Sequence, residues 1–173
     1  MAKNTEIERK FLVKSDAFIA QATTSYEIMQ GYLCKDPEKT IRVRIRDARA
    51  FLTIKSSLLR DGIAKFEWEK EIDLSDAKEL MKICLPGTIC KTRYIIKVNG
   101  QRTMDNGQRT MDNGQRTKDK GESLKWEVDV FHGRLEGRVL AEIELSDEDE
   151  AFERPDWLGE EVTGQPQYYN ANM

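Results

Sequence analysis

Taken two residues at a time, long stretches of this chain set charge on one side and apolar side chains on the other. Glu6, Glu8 and Lys10 share a face opposite Ile7 and Phe11, and Arg42, Arg44 and Arg46 alternate with Ile41, Val43 and Ile45. Thr53 and Lys55 oppose Leu52 and Ile54, while Lys65, Glu67, Glu69 and Glu71 oppose Phe66, Trp68 and Ile72. Lys91 and Arg93 oppose Thr92 and Tyr94. Glu127 and Asp129 oppose Trp126, Val128 and Val130, and Glu142 and Glu144 oppose Ala141, Ile143 and Leu145. A period of two is the signature of strands with one buried face, so the chain is predicted to be rich in antiparallel sheet. Helices are fewer. Ser75 to Ile83 starts at a capping serine and stops before Pro86-Gly87, Ser146 with Asp149 resembles a capping box running to Phe152, and Ser15 caps a short stretch to Ala22.

A solvent-exposed sheet normally intersperses the two signs, because like charges two apart on a strand repel. Here cations and carboxylates are segregated strand by strand. That arrangement suits a polyanion and a divalent metal held between the walls: arginine forks and lysines meet phosphate, and oxygen-only carboxylate ligands suit Mg²⁺ or Mn²⁺.

Composition narrows the field without naming a function. The 173 residues are enough for one domain with a single core, and the mean hydropathy of -0.66 is polar but patterned. The longest apolar run, Ala17 to Ala20, has four residues, so no membrane span is expected. Met1-Ala2-Lys3-Asn4 leads directly into glutamates, and no export signal is expected either. A net charge of -3 argues against a nucleic-acid partner. One histidine, His132, and three scattered cysteines, Cys34, Cys84 and Cys90, exclude a histidine- or cysteine-rich zinc site and fit reduced thiols in a cytoplasm. Nucleophile elbows, phosphate loops and dinucleotide fingerprints are all absent.

Residues 101–121 stand apart. The heptad Gln101-Arg102-Thr103-Met104-Asp105-Asn106-Gly107 recurs unchanged at 108–114, and the third copy differs at Lys118 and Lys120. It lacks an apolar seam for a coiled coil, and its Asn-Gly steps favour turns. It is read as an insertion in a strand-strand loop without chemistry of its own. Deleting residues 101–114 should leave the protein's activity within a few-fold of the parent, because closure entropy changes slowly with loop length and stability should move by only about 1 kcal/mol. A loss of activity in a still-folded deletion variant would place the repeat in the site.

Glu6-Ile7-Glu8-Arg9-Lys10-Phe11-Leu12 resembles the E-x-E-x-K signature of the CYTH domains, or triphosphate tunnel metalloenzymes. Further segments follow in that family's order: Gln30-Gly31-Tyr32-Leu33, Ile41-Arg42-Val43-Arg44, Thr53-Ile54-Lys55, Phe66-Glu67-Trp68-Glu69, Lys91-Thr92-Arg93-Tyr94, Trp126-Glu127-Val128-Asp129, Ala141-Glu142-Ile143-Glu144 and Trp157-Leu158-Gly159-Glu160-Glu161-Val162-Thr163. The resemblance implies a single α+β domain: an antiparallel eight-stranded β-barrel open as a tunnel, its lumen charged and its helices packed outside. It implies that Lys10, Arg42, Arg44, Lys55, Lys65, Lys91 and Arg93 bind the triphosphate, a lysine standing at 65 where many members carry arginine. It implies that Glu6, Glu8, Asp129, Glu142 and Glu144 hold Mg²⁺ or Mn²⁺, with Glu67, Glu69 and Glu127 as ligands or water-positioning groups. Glu6, Glu8, Lys10, Glu69 and Glu127 are the expected catalytic set. The tail Tyr168 to Met173 is shorter than in some members, so a reduced C-terminal plug is expected. The likeness is to the compact bacterial branch, for which metal-dependent hydrolysis of inorganic tripolyphosphate is the implied activity, in a monomer or homodimer. An adenylate cyclase, an organic triphosphatase and a non-catalytic polyphosphate-binding module remain alternatives.

Overall fold

The computed structural model describes residues 7–36, 38–56, 66–98, 124–145 and 149–173. Glu6, Lys65 and the heptad repeat therefore lie outside the described residues. Nine strands form one antiparallel sheet: β1 (Ile7–Val13), β2 (Thr24–Asp36), β3 (Lys39–Arg46), β4 (Arg49–Ser56), β5 (Phe66–Ile72), β6 (Ile89–Lys97), β7 (Lys125–His132), β8 (Val139–Leu145) and β9 (Leu158–Glu161). Their order is β5-β4-β3-β2-β6-β7-β8-β1-β9.

The expected eight-stranded closed barrel is corrected on two counts. β9, four residues long, carries no legible alternation; it adds to the outer edge of β1, with a register shift between Phe11 and Val13. The sheet also does not close, since β5 and β9 stand at its two ends without pairing to each other. Alternation tells which face a side chain takes. Closure depends on tilt and stagger, which alternation does not encode.

Two helices pack outside. α1 (Phe18–Gln21) begins after Ala17 rather than at a Ser15 cap, and α2 (Leu74–Lys82) is capped at Asp73, two residues before the predicted cap Ser75. Ala77 of α2 is buried against Val43 and Ala50 on the outer face of β3 and β4. Gly31 lets the turn after α2 approach β2, because a Cβ there would stand 2.7 Å from Cys84 Sγ. The larger core covers the outer faces of β1, β6, β7 and β8. Phe11, Trp126 and Trp157 meet edge to face in it, with centroids 5.5 Å and 5.7 Å apart. Phe152 joins this cluster, its ring 5.6 Å from that of Trp126. Ser146, the expected cap, lies outside the described residues, and residues 149–157 run as an irregular strap that does not carry the predicted helix on to Phe152. Trp126 and Trp157 are core residues, whereas Trp68 is exposed on β5. No helix among the described residues is long and apolar enough to cross a membrane.

Candidate functional site

Register carries all the described charged stripes onto one face. Lys10 of β1 stands opposite Glu142 of β8, and Glu8 opposite Glu144. Glu142 in turn faces Glu127 of β7, and Arg93 of β6 faces Asp129. On the other half, Tyr32 and Gln30 of β2 face Arg42 and Arg44 of β3, Thr53 of β4 faces Arg42 and Glu69, and Lys55 faces Glu67. Lys10, Gln30, Thr53, Lys91 and Asp129 are buried on this face, which an open flat sheet exposed to water would not allow. Curvature explains it. Burial and Glu142 raise the Glu8 carboxyl, while Lys10 and also Lys55 of β4, six places away in strand order, hold it back. The two ends of the sheet curl toward each other around a charged groove.

One wall is a continuous ion-pair network. Lys10 Nζ lies 2.6 Å from Glu142 and 3.0 Å from Glu8. Arg93 reaches Glu142 at 3.1 Å, forks onto both oxygens of Asp129 at 2.6 Å, and donates to Glu127. Lys91 Nζ completes the set, 2.5 Å from Asp129. Burial opposes ionisation of Asp129, but Arg93 and Lys91 overcome it and hold the carboxyl far below the usual range. Burial, aided by Arg93, brings the Lys91 ammonium down to about 8 in spite of Asp129. Burial lowers the Arg93 guanidinium, yet Asp129, Glu142 and Glu127 raise it well above its ordinary value.

The facing wall is cationic and under-compensated. Arg42 donates to Thr53 Oγ1 at 3.1 Å, lies 3.5 Å from Glu69, and leaves its buried Nε without a hydrogen bond. Thr53 Oγ1 donates to Glu69 at 2.7 Å. Arg44 makes no ion pair or hydrogen bond with the described residues, and its Nε is buried. Burial, then the charges of Arg42 and Arg93, bring the Arg44 guanidinium down to about 10. Lys55 lies 3.1 Å from Glu67, both partly exposed.

Between Lys125 and the acidic strands lies a pocket lined by Glu8, Glu127, Glu142 and Glu144. Its carboxylates are hard oxygen donors of the kind Mg²⁺ and Mn²⁺ take, and in that respect the residues present fit such an ion. Among the described residues no three acidic, histidine or cysteine groups converge on one point, because Lys10 and Arg93 stand among the carboxylates. Asp129, expected among the metal ligands, has both oxygens engaged by cations.

A CYTH domain model matches residues 4–172. The chain belongs to the CYTH family. It is 38% identical to an inorganic triphosphatase of Acetivibrio thermocellus, covering 97% of this chain and 92% of the relative. It is 34% identical to an inorganic triphosphatase of Nitrosomonas europaea, covering 96% and 94%. A crystal structure described as that of an inorganic triphosphatase superposes with a TM-score of 0.64 at 30% identity, over 99% of this chain and 94% of the other.

Set in this CYTH chain, the groove also contains residues that charge alternation overlooked. Gln30 is fully buried on the inward face. Tyr32 points inward too, and burial raises its phenol against the pull of Arg42 and Arg44. Both share the parity of the arginines across the register, which is the signal that would have found them. The short tail does more than its length suggests: Tyr168 and Met173 pack on Ile89, Phe131 and Leu140, and the ring of Tyr169 stands 5.8 Å from Lys10 Nζ. His132 is peripheral, 2.7 Å from Thr92 Oγ1.

Proposed function

We propose that this CYTH chain hydrolyses inorganic tripolyphosphate to diphosphate and phosphate within the charged groove. The observation that carries the reading is Arg44: a guanidinium with a buried, unpartnered Nε and no ion pair among the described residues calls for an anion from outside. Arg42, Arg44 and Lys55 bind phosphate oxygens from one wall, and Lys10 and Arg93 from the other, exchanging part of their contact with Glu142 for the substrate. Lys91, buried behind Asp129, keeps Asp129 charged, and Asp129 aims the Arg93 fork. Lys65 and Glu6 join the cationic and acidic sets by their sequence positions.

Glu6, Glu8, Glu142 and Glu144 would hold Mg²⁺ or Mn²⁺, which supplies polarisation of the phosphoryl oxygens. Glu127 and Glu69 would orient the attacking water. Charge spreads over the equatorial oxygens as the anhydride breaks, and fixed cations stabilise it without a covalent nucleophile. The metal-dependent activity is assigned to the cytoplasm, where the free thiols Cys34, Cys84 and Cys90 stay reduced, in a monomer or homodimer whose partner is a small anion rather than nucleic acid or membrane.

The test is Arg44→Ala. It should raise KM or lower kcat for tripolyphosphate by the loss of a charge-assisted contact worth roughly 1.5–3 kcal/mol, with Tm unchanged or higher because an unpaired buried cation is removed. Phosphate release from ATP and formation of cyclic AMP are followed in the same assay. Parent-like kinetics in Arg44→Ala, or turnover confined to cyclic AMP formation, would reject the proposal.

A further inference from the structure

Gln30 is an uncharged residue in the middle of the cationic wall. It lies between Ile28 and Tyr32 on the inward face of β2, and register sets it directly opposite Arg44 of β3. Residues so opposed in an antiparallel pair bring their Cβ atoms within about 5.5 Å. The Gln30 side chain is fully buried. Its amide nitrogen reaches Tyr32 Oη at 3.4 Å, and its carbonyl oxygen accepts no hydrogen bond. A buried amide oxygen without a donor is uncommon and costly. The Nε of Arg44, its cross-strand neighbour, is equally unsatisfied. A glutamate at this position would have nearly the same shape and would supply Arg44 with an internal counter-ion. The amide withholds one.

Resting on the reading that the groove binds tripolyphosphate, we propose that Gln30 is a positioning residue that keeps the Arg44 guanidinium free of an internal ion pair, reserving its fork for a phosphate of the substrate. The cost includes a buried Arg44 Nε–H without an acceptor in the unliganded protein, relieved when a phosphate oxygen arrives.

Gln30→Glu and Gln30→Met separate charge from shape. Three measurements are made on each and on the parent: steady-state kinetics, thermal unfolding, and calorimetric binding of tripolyphosphate in metal-free buffer. Gln30→Glu should raise both KM and the Kd about tenfold, the equivalent of one charge-assisted contact, leave kcat within a few-fold, and raise Tm. Gln30→Met, neutral and similar in length, should keep the Kd within about threefold of the parent. Affinity and stability moving in opposite directions is an effect that a merely structural glutamine would not produce. Parent-like binding by Gln30→Glu, a lowered Tm in that variant, or equal weakening by Gln30→Met each overturns the inference. A parent that binds tripolyphosphate without hydrolysing it defeats the proposed function alone, and the Kd comparison still decides the role of Gln30. A parent that does not bind it defeats both.

Discussion

Removing divalent metal with EDTA should abolish tripolyphosphate hydrolysis, and adding back Mg²⁺ or Mn²⁺ should restore it. The pocket beside Lys125 gathers Glu8, Glu127, Glu142 and Glu144; Lys10 bridges Glu8 and Glu142, and Arg93 bridges Glu142 and Glu127. Once those cations turn toward a substrate carrying several negative charges, carboxylates and phosphates would face one another without neutralisation. Coulomb repulsion between unit charges at 4 Å is about 4 kcal/mol at an effective dielectric of 20, so the cationic wall can hold the anion alone but a dication is needed to neutralise the carboxylates against it for turnover. Glu142→Gln tests the same point from the protein side. It keeps the shape and a hydrogen-bond acceptor for Lys10 while removing a hard anionic ligand, so it should lose most activity without unfolding. Full turnover in chelator, or an unchanged rate in Glu142→Gln, would take the metal out of this pocket.

The parts of the molecule legible in the sequence are those set by parity along a strand. Arg42 and Arg44 alternate with Ile41, Val43 and Ile45, and the structure places the arginines inward and Val43 in the core under α2. The same holds for Glu127 and Asp129 against Trp126 and Val128. Parity says nothing about how deep a charge sits. Lys91 and Arg93 look equivalent on paper, yet Lys91 has no exposed surface and serves Asp129, whereas Arg93 spans three carboxylates. Nor does parity mark a neutral group such as Gln30, whose importance comes from the cross-strand neighbour that register supplies. Phe152 and β9 were hidden for a different reason. Their conformations are decided by an aromatic cluster and by the exposed edge of β1, contacts that join residues more than 100 positions apart. Closure of the sheet was inferred from family likeness, and the ends β5 and β9 do not meet.

Asp129→Ala should be among the most destabilising single substitutions in the protein, at about 3–5 kcal/mol in chemical denaturation, because it leaves a fully buried Lys91 and most of Arg93 without their shared counter-ion. Lys91→Met should cost far less, since Asp129 keeps both hydrogen bonds from Arg93 and the apolar chain fills the same space. The pair also predicts a signature in pH. Burial lowers the folded Lys91 to about 8 from its ordinary 10.5, so between these values the unfolded chain binds more protons than the folded one. Stability must then rise with pH through that window, and at this site the rise amounts to about 3 kcal/mol at most. Subtracting the profile of Lys91→Met from that of the parent isolates the effect from other groups titrating at alkaline pH. Asp129 gives a slope of the same sign in a different window. Its folded carboxyl lies far below the unfolded value, so its stabilisation is present at neutral pH and is lost only as strong acid is approached. A parent profile that is flat from pH 8 to 10.5, or one that Lys91→Met reproduces unchanged, would mean that Lys91 is hydrated in solution and that the wall behind Arg93 is open to water.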